Sequence, residues 1–510
     1  MAARTWTGAV DADGNNSGNY SGAGALLTSD DLTWNGSAVG NCTFTGALSV
    51  KSLTVSSAYT GAWSDGGQTL TLAGGFNFDD SGAGIIAFTG TVNVTATGTW
   101  ASTLSLNNLT TTAGTSAVTI SGTVIVAGTY TNSNTGTVSV YTGTLIFQGN
   151  IAGAGTGVFG GGSGNADFQF TGTGDKTFTY VASTFGAGSG TITINKASGR
   201  LSLQQNSSWL GNIAISSGEL NCNTKTFTMI TALKTLTVGG GTFTGSSATN
   251  TLRSVNMSSG VFTATSGTAA VQGNFVVSGG TFTHSNGTVN VGLTSTTCTV
   301  TCAQDFYNLS VPNAASAVME FGSNIAVTNN FGGSAGSQTA TVDTKGYNLT
   351  VTGTLNIGIS GIATFKNTGD ETIAYGTLSL GLLSNVMYTA TSGTRSIRNW
   401  AYVSLTINGA GGTFTCATAK ICTGTLTMSA GTFGDSGQSL TAESFAWTGG
   451  TLIRPFVIFT TGGTEWTLPA EADVKNGDSV GMGTGTYIPS GGGGGGSIIG
   501  SSIITVLEVV

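Results

Sequence analysis

Residues 235–245 read TLTVGGGTFTG, residues 254–264 read SVNMSSGVFTA and residues 274–284 read NFVVSGGTFTH, one phrase written three times. Leu236, Val255 and Phe275 open the copies, and Phe243, Phe262 and Phe282 follow each by seven positions. Both series advance by 19 and then by 20. A further copy, TLTMSAGTFGD, sets Leu426 and Phe433 seven apart, and Phe414 precedes Phe433 by 19. A unit of about 20 residues cannot bury its own apolar face, but a stack of such units can. Side chains on a strand alternate between faces, so Leu, Val and Phe form inward columns while Thr, Ser and Asn point outward. The phrase therefore predicts a right-handed parallel β-solenoid (β-helix), each coil being a strand, a Gly/Ser corner, a second strand and a return.

Weaker copies extend the pattern: SLTVSS at Leu53, TLTLAGG at Leu70, TVNVTATG at Val92, TLSLNN at Leu104, TITINKASG at Ile192, NLTVTG at Leu349 and SLTING at Leu405. Composition agrees. The 510 residues include 83 Gly and only 4 Pro, and 7% are charged, against roughly a quarter in an average soluble domain. Gly serves corners, Pro is scarce where every coil must donate N–H groups, and β-branched residues suit strands. The expected class is all-β with almost no helix.

No stretch approaches the roughly 20 apolar residues that span a bilayer, so a soluble chain is expected. The opening MAARTWTGAV lacks an apolar signal core, which favours assembly in a host cytoplasm over export. A net charge of −7 without a Lys/Arg cluster argues against nucleic-acid binding. The 6 cysteines, Cys42, Cys222, Cys298, Cys302, Cys416 and Cys422, match neither a zinc module nor a disulfide framework and read as small apolar core residues.

Open solenoids expose strand edges, so caps are expected at both ends. Residues 1–40 are read as an N-terminal cap, 41–455 as the solenoid, 456–490 as a small capping β module, 491–497 as a Gly-rich linker and 498–510 as a terminal strand. In the first segment Trp6, Tyr20 and Trp34 stand amid Asn, Asp and Gly and are assigned to cap packing. Asp11, Asp13 and Asn15 invite comparison with a calcium loop, but the glycine falls too early and no closing Glu follows, so an Asx turn is expected. At the other end, Ile503, Ile504, Val506, Leu507, Val509 and Val510 form an apolar, β-branched tail. That tail is expected to dock as an added strand on a neighbouring subunit or virion protein, the alternative being that it folds back on its own chain.

Catalysis finds little support. His284 is the only histidine and is expected on an outward strand position, with no triad partner in view. Among acids, Asp79/Asp80, Asp370/Glu371 and Glu443 are the least implausible pair candidates, and Gly-His-Gly motifs are absent. No catalytic, cofactor or metal residue is assigned, and the chain is expected not to be an enzyme.

The opening WTG…NYS…DD segment, through Trp6, Tyr20 and Asp30-Asp31, resembles the segment that leads into β-helical passenger and adhesin proteins. The WTLPA…GGGGGG run, through Trp466, Thr467, Pro469 and Ala470, resembles a segment of phage tail-fibre and virion proteins. The second resemblance implies a phage virion structural protein: a fibre, spike or decoration protein on head or tail, a rigid displayed rod, a homo-oligomer of three chains in contact with other virion proteins. Hydroxyl- and amide-covered strands suit host-surface glycans. A bacterial adhesin or passenger domain and a polysaccharide depolymerase tailspike are the alternative readings.

Overall fold

A computed structural model describes residues 2–22, 24–78, 85–96, 98–100, 103–112, 118–120, 122–133, 138–140, 143–153, 167–180, 184–186, 189–292, 297–311, 317–333, 340–358, 362–434, 440–452, 457–460, 465–467, 479–481, 486–487 and 503–505. The chain is a parallel β-solenoid of about 16 turns, with no α-helix among these residues. One 3₁₀ turn, Ser17–Asn19, is the sole helical element among them, and no helix is long and apolar enough to cross a membrane. Two compact units are present, Met1–Ala269 with Ser278–Ser285, and Ala270–Val277 with Asn286–Val510.

In the first unit the repeat phrase becomes one bent strand per coil. Thr235–Thr244 pairs in parallel with Ser254–Thr263, placing Leu236 against Val255 and Phe243 against Phe262, and Phe262 then pairs with Phe282. The spacing of the phenylalanines in sequence is therefore the register of the ladder. Phe243 and Phe262 stack with centroids 4.9 Å apart. Between the two halves of each strand the chain turns a corner through glycine. Gly260 has φ +83°, and a Cβ there would lie 2.2 Å from the carbonyl oxygen of Gly241 in the coil beneath, so both conformation and space exclude a side chain.

The column containing Leu236 begins at Leu104 and runs through Val124, Leu145, Phe168, Ile192 and Ile213, then on to Val255, one residue per coil. Every side chain in it is buried. A second column runs through Val92, Leu109, Tyr130, Ile151, Phe178 and Leu203. A third strand per coil closes the turn, as in Ser207–Trp209 paired with Phe227–Met229. The simple return expected from the phrase is thus itself a strand.

That third side corrects the weaker copies. Leu70 and Val92 share one ladder, but Leu53 pairs with Leu32 and Phe76 on another sheet, and Leu104 begins a separate column. An inward pair flanked by Thr or Ser reads alike on any side of a coil, which explains the irregular spacing seen in sequence.

The second unit repeats the plan. Cys298, Met319, Val342, Phe365, Val386, Leu405 and Leu426 form a buried column, again one residue per coil. The backbone ladder passes residue 455, where the regular coil was expected to stop, and continues through Phe445, Trp466 and Tyr487. No proline lies within a strand among the described residues, so none interrupts the ladder there.

Candidate functional site

The N-terminal segment is a built closure. Ala3–Thr5 pairs in parallel with Asp31–Trp34, which pairs with Ser52–Val55, so the first coil already belongs to the ladder. Its outer edge is covered by the chain folding back: Trp6 and Tyr20 form an antiparallel bridge, Ser21 N donates to Thr5 O, and Thr5 N donates to Ser21 Oγ at 2.8 Å. Trp6, Tyr20 and Trp34, the residues expected to pack the cap, meet here. Trp6 lies 5.3 Å from Tyr20 and 6.1 Å from Trp34, and Trp34 continues to Phe44 and Trp63. Burial pushes the Tyr20 hydroxyl's pKa far above its ordinary value, while that hydroxyl donates to Gly14 O at 2.8 Å.

Sequence reasoning missed the hub of this region. Asn19 is fully buried; its Oδ1 accepts from Val10 N and Asp11 N, and its Nδ2 donates to Asp11 Oδ1 at 2.6 Å and Asp13 O at 3.0 Å. Nothing in the run NNSGN separates Asn19 from its neighbours before the fold is known. Asp11 also accepts from Asn16 Nδ2, which with Asp13 N and Asn19 holds its carboxyl below the ordinary range. Asp13 Oδ1 accepts from Asn15 N and its Oδ2 from Thr45 Oγ1. The contacts to Asp13 N and Asn15 N are Asx turns, and the one to Thr45 ties the turn to the next coil. Arg4 joins the closure, its Nε 2.7 Å from buried Asp30 and its other nitrogens donating to Gly24 O and Ala25 O.

Of the acids singled out in sequence, Glu371 is the one at a structured centre. Among the described residues Ile373–Leu380 is the last strand of the sheet on the third side, and Arg398 reaches back to the turn that precedes it. Its Nη1 donates to Asn367 Oδ1 at 2.7 Å, its Nη2 donates to Glu371 O and lies 3.9 Å from Glu371 Oε2, and its guanidinium stands 5.8 Å over Trp400. Tyr388 Oη accepts from Arg398 N and sits 3.1 Å from Tyr402 Oη, which donates to Arg398 O. Burial alone would raise the Glu371 pKa, but donors from Thr344 Oγ1, Thr368 N and Gly369 N hold it below the usual value. A carboxylate so held is a poor proton donor, and its oxygens are spent on the corner. Asp370 is ion-paired with Arg395 at 2.5 Å, Glu443 is exposed, and Asp79 and Asp80 lie outside the described residues.

His284 follows strand Thr281–Thr283 and opens the turn at Ser285 and Asn286, both with positive φ, so it sits half-buried at a corner and not on a strand. The 6 cysteines are buried free thiols. Burial pushes Cys298 and Cys302 up to about 12 and Cys422 up to about 11, so they are thiols and not thiolates at neutral pH. Among the described residues no group of His, Cys, Asp and Glu is placed to hold a metal ion.

In the tail, Ile503–Thr505 forms a strand antiparallel to Ser479–Gly481, with Ile504 opposite Val480 and Ile503 opposite Gly481. Within this single chain the segment folds back on its own coil. Val506, Leu507, Val509 and Val510, also assigned to docking, lie outside the described residues, as do Pro469, Ala470 and the glycine run 491–496.

No protein-family model matches the chain, and no curated protein or solved structure matches it.

Proposed function

We propose that the chain is a structural protein of a phage virion, a fibre, spike or decoration protein displayed on head or tail, and that it acts by presenting surface and not by catalysis. The observation that carries this reading is the joining of continuous inward columns to a closed N-terminal edge. Consecutive coils hold one another, large apolar side chains fill the interior, and Glu371, the acid nearest to a site, is consumed in a corner. Stacked strands with a covered edge resist proteolysis and association. The virion assignment draws on the resemblance of the Trp466-Thr467 segment to phage fibre proteins. The proposed partners are two further copies of this chain, neighbouring virion proteins and host-surface glycans.

Electron microscopy of intact particles labelled with an antibody to residues 85–96 tests the assignment. Label on the particle surface is expected; recovery of the protein solely from bacterial outer membranes would remove it. Light scattering of the purified chain tests the trimer, and incubation with host capsule, read as new reducing ends, tests the depolymerase alternative.

A further inference from the structure

On the outer surface of the second unit, Thr288 pairs with Asn308 and Asn308 with Asn330, while Ser310 pairs with Gly332. Phe331 pairs with Leu355, which sets Gly332 beside Asn356. Thr288, Asn308, Ser310, Asn330, Gly332 and Asn356 line a groove of about 260 Å³, and among the described residues no lining residue is charged or aromatic. A water in the liquid takes up ~30 Å³, so the groove has room for several waters or for a sugar ring in their place.

The walls are partly preset. Asn308 Nδ2 donates to Thr288 Oγ1 at 3.3 Å, and its Oδ1 accepts from Asn329 Nδ2 at 3.0 Å and Asn330 N at 3.2 Å. The amides of Asn330 and Asn356 make no side-chain hydrogen bond among the described residues, and Asn330 is exposed. Each offers an acceptor oxygen and an amino group with two donors, the complement of adjacent hydroxyls. The floor is open because position 332 is glycine: a Cβ there would come within 2.9 Å of Asn356 Cβ and push that side chain across the groove. Its backbone is not in the left-handed region, so space and not conformation requires the glycine.

We propose that this groove binds a neutral, hydroxyl-rich ligand, a segment of uncharged polysaccharide, with Asn330 and Asn356 as its contact residues. The proposal rests on the surface-presenting reading above and names where that contact is made. An uncharged lining gives an anionic chain no counter-charge, and a lining without aromatic rings gives no stacking platform. Affinity per groove is therefore weak, with dissociation constants on the order of 1 mM, and useful only when copies act together.

The purified full chain, labelled with ¹⁵N, is titrated with maltotriose, cellotriose, chitotriose and, as the anionic control, trigalacturonate, following the side-chain amide signals of Asn330 and Asn356 and the backbone amide signals of Ser310 and Gly333, which remain in every variant. Millimolar shifts with at least one neutral probe are expected, weakened tenfold or more by the double substitution Asn330→Ala and Asn356→Ala and also by Gly332→Ala, with the circular dichroism spectrum unchanged. The proposal is overturned if no neutral probe shifts these signals, if trigalacturonate binds more tightly than all three, or if both variants bind as the parent does. Because the readout uses the isolated chain, groove binding by a protein found outside virions would overturn the virion reading alone.

Discussion

Trp34 touches four rings, those of Trp6, Tyr20, Phe44 and Trp63, and is fully buried. Replacing it with Ala leaves a cavity that the stacked backbone cannot close, so Trp34→Ala should lower the opening free energy of amides in Asp31–Trp34 by about 3–5 kcal/mol, measured by hydrogen exchange. A change below about 1 kcal/mol would show that the rings do not support one another. Glu371 makes a pH prediction. Its folded pKa lies below its ordinary value of 4.5, so its contribution is complete above 4.5 and is lost as pH falls through the lower folded value. Glu371→Gln should therefore flatten the acid limb of thermal stability below pH 4.5, and coincident limbs would show that the carboxylate charge is not used. The aromatic trio was legible because Trp6, Tyr20 and Trp34 stand out amid Asn, Asp and Gly. Asn19 was not, since an amide's worth depends on which backbone groups the fold aims at it.

An element's edge is the weak point of any β-structure, and here the first edge is closed by two hydrogen bonds at Ser21. Ser21→Pro removes both the N–H donor and the hydroxyl acceptor at an exposed position. The edge of Ala3–Thr5 should then recruit further chains, read in sedimentation velocity as concentration-dependent association beyond that of the parent; a variant that sediments as the parent does at every concentration would show that the fold-back does not guard the edge. The repeat strands were legible because Leu236, Phe243 and their successors occupy equivalent positions on either side of a corner, where alone the register shifts. The third strand of each coil was not. Ser207–Trp209, Phe227–Met229 and Asn250–Leu252 share no phrase, and strands so short give alternation no room to stand out.

Within each unit, contacts join consecutive coils, so stability is a sum of neighbour terms and not one cooperative core. With two compact units present, native-state hydrogen exchange should give distinct opening free energies for Asn212–Asn221 and for Ser404–Cys416, and denaturant transitions followed by different probes should not coincide. A single opening energy for all slow amides would contradict this. The sequence by itself determined the class of fold, the inward columns and the register of the repeat phrase, because alternation and a near-constant period leave stacking as the one way to bury those side chains. Only the tertiary structure decided which side of a coil each apolar pair occupies, how the first edge is closed, and where Asn308, Asn330 and Asn356 converge. Those depend on residues from different coils being brought to neighbouring rungs, and coil lengths that differ from one rung to the next hide that juxtaposition until the corners are built.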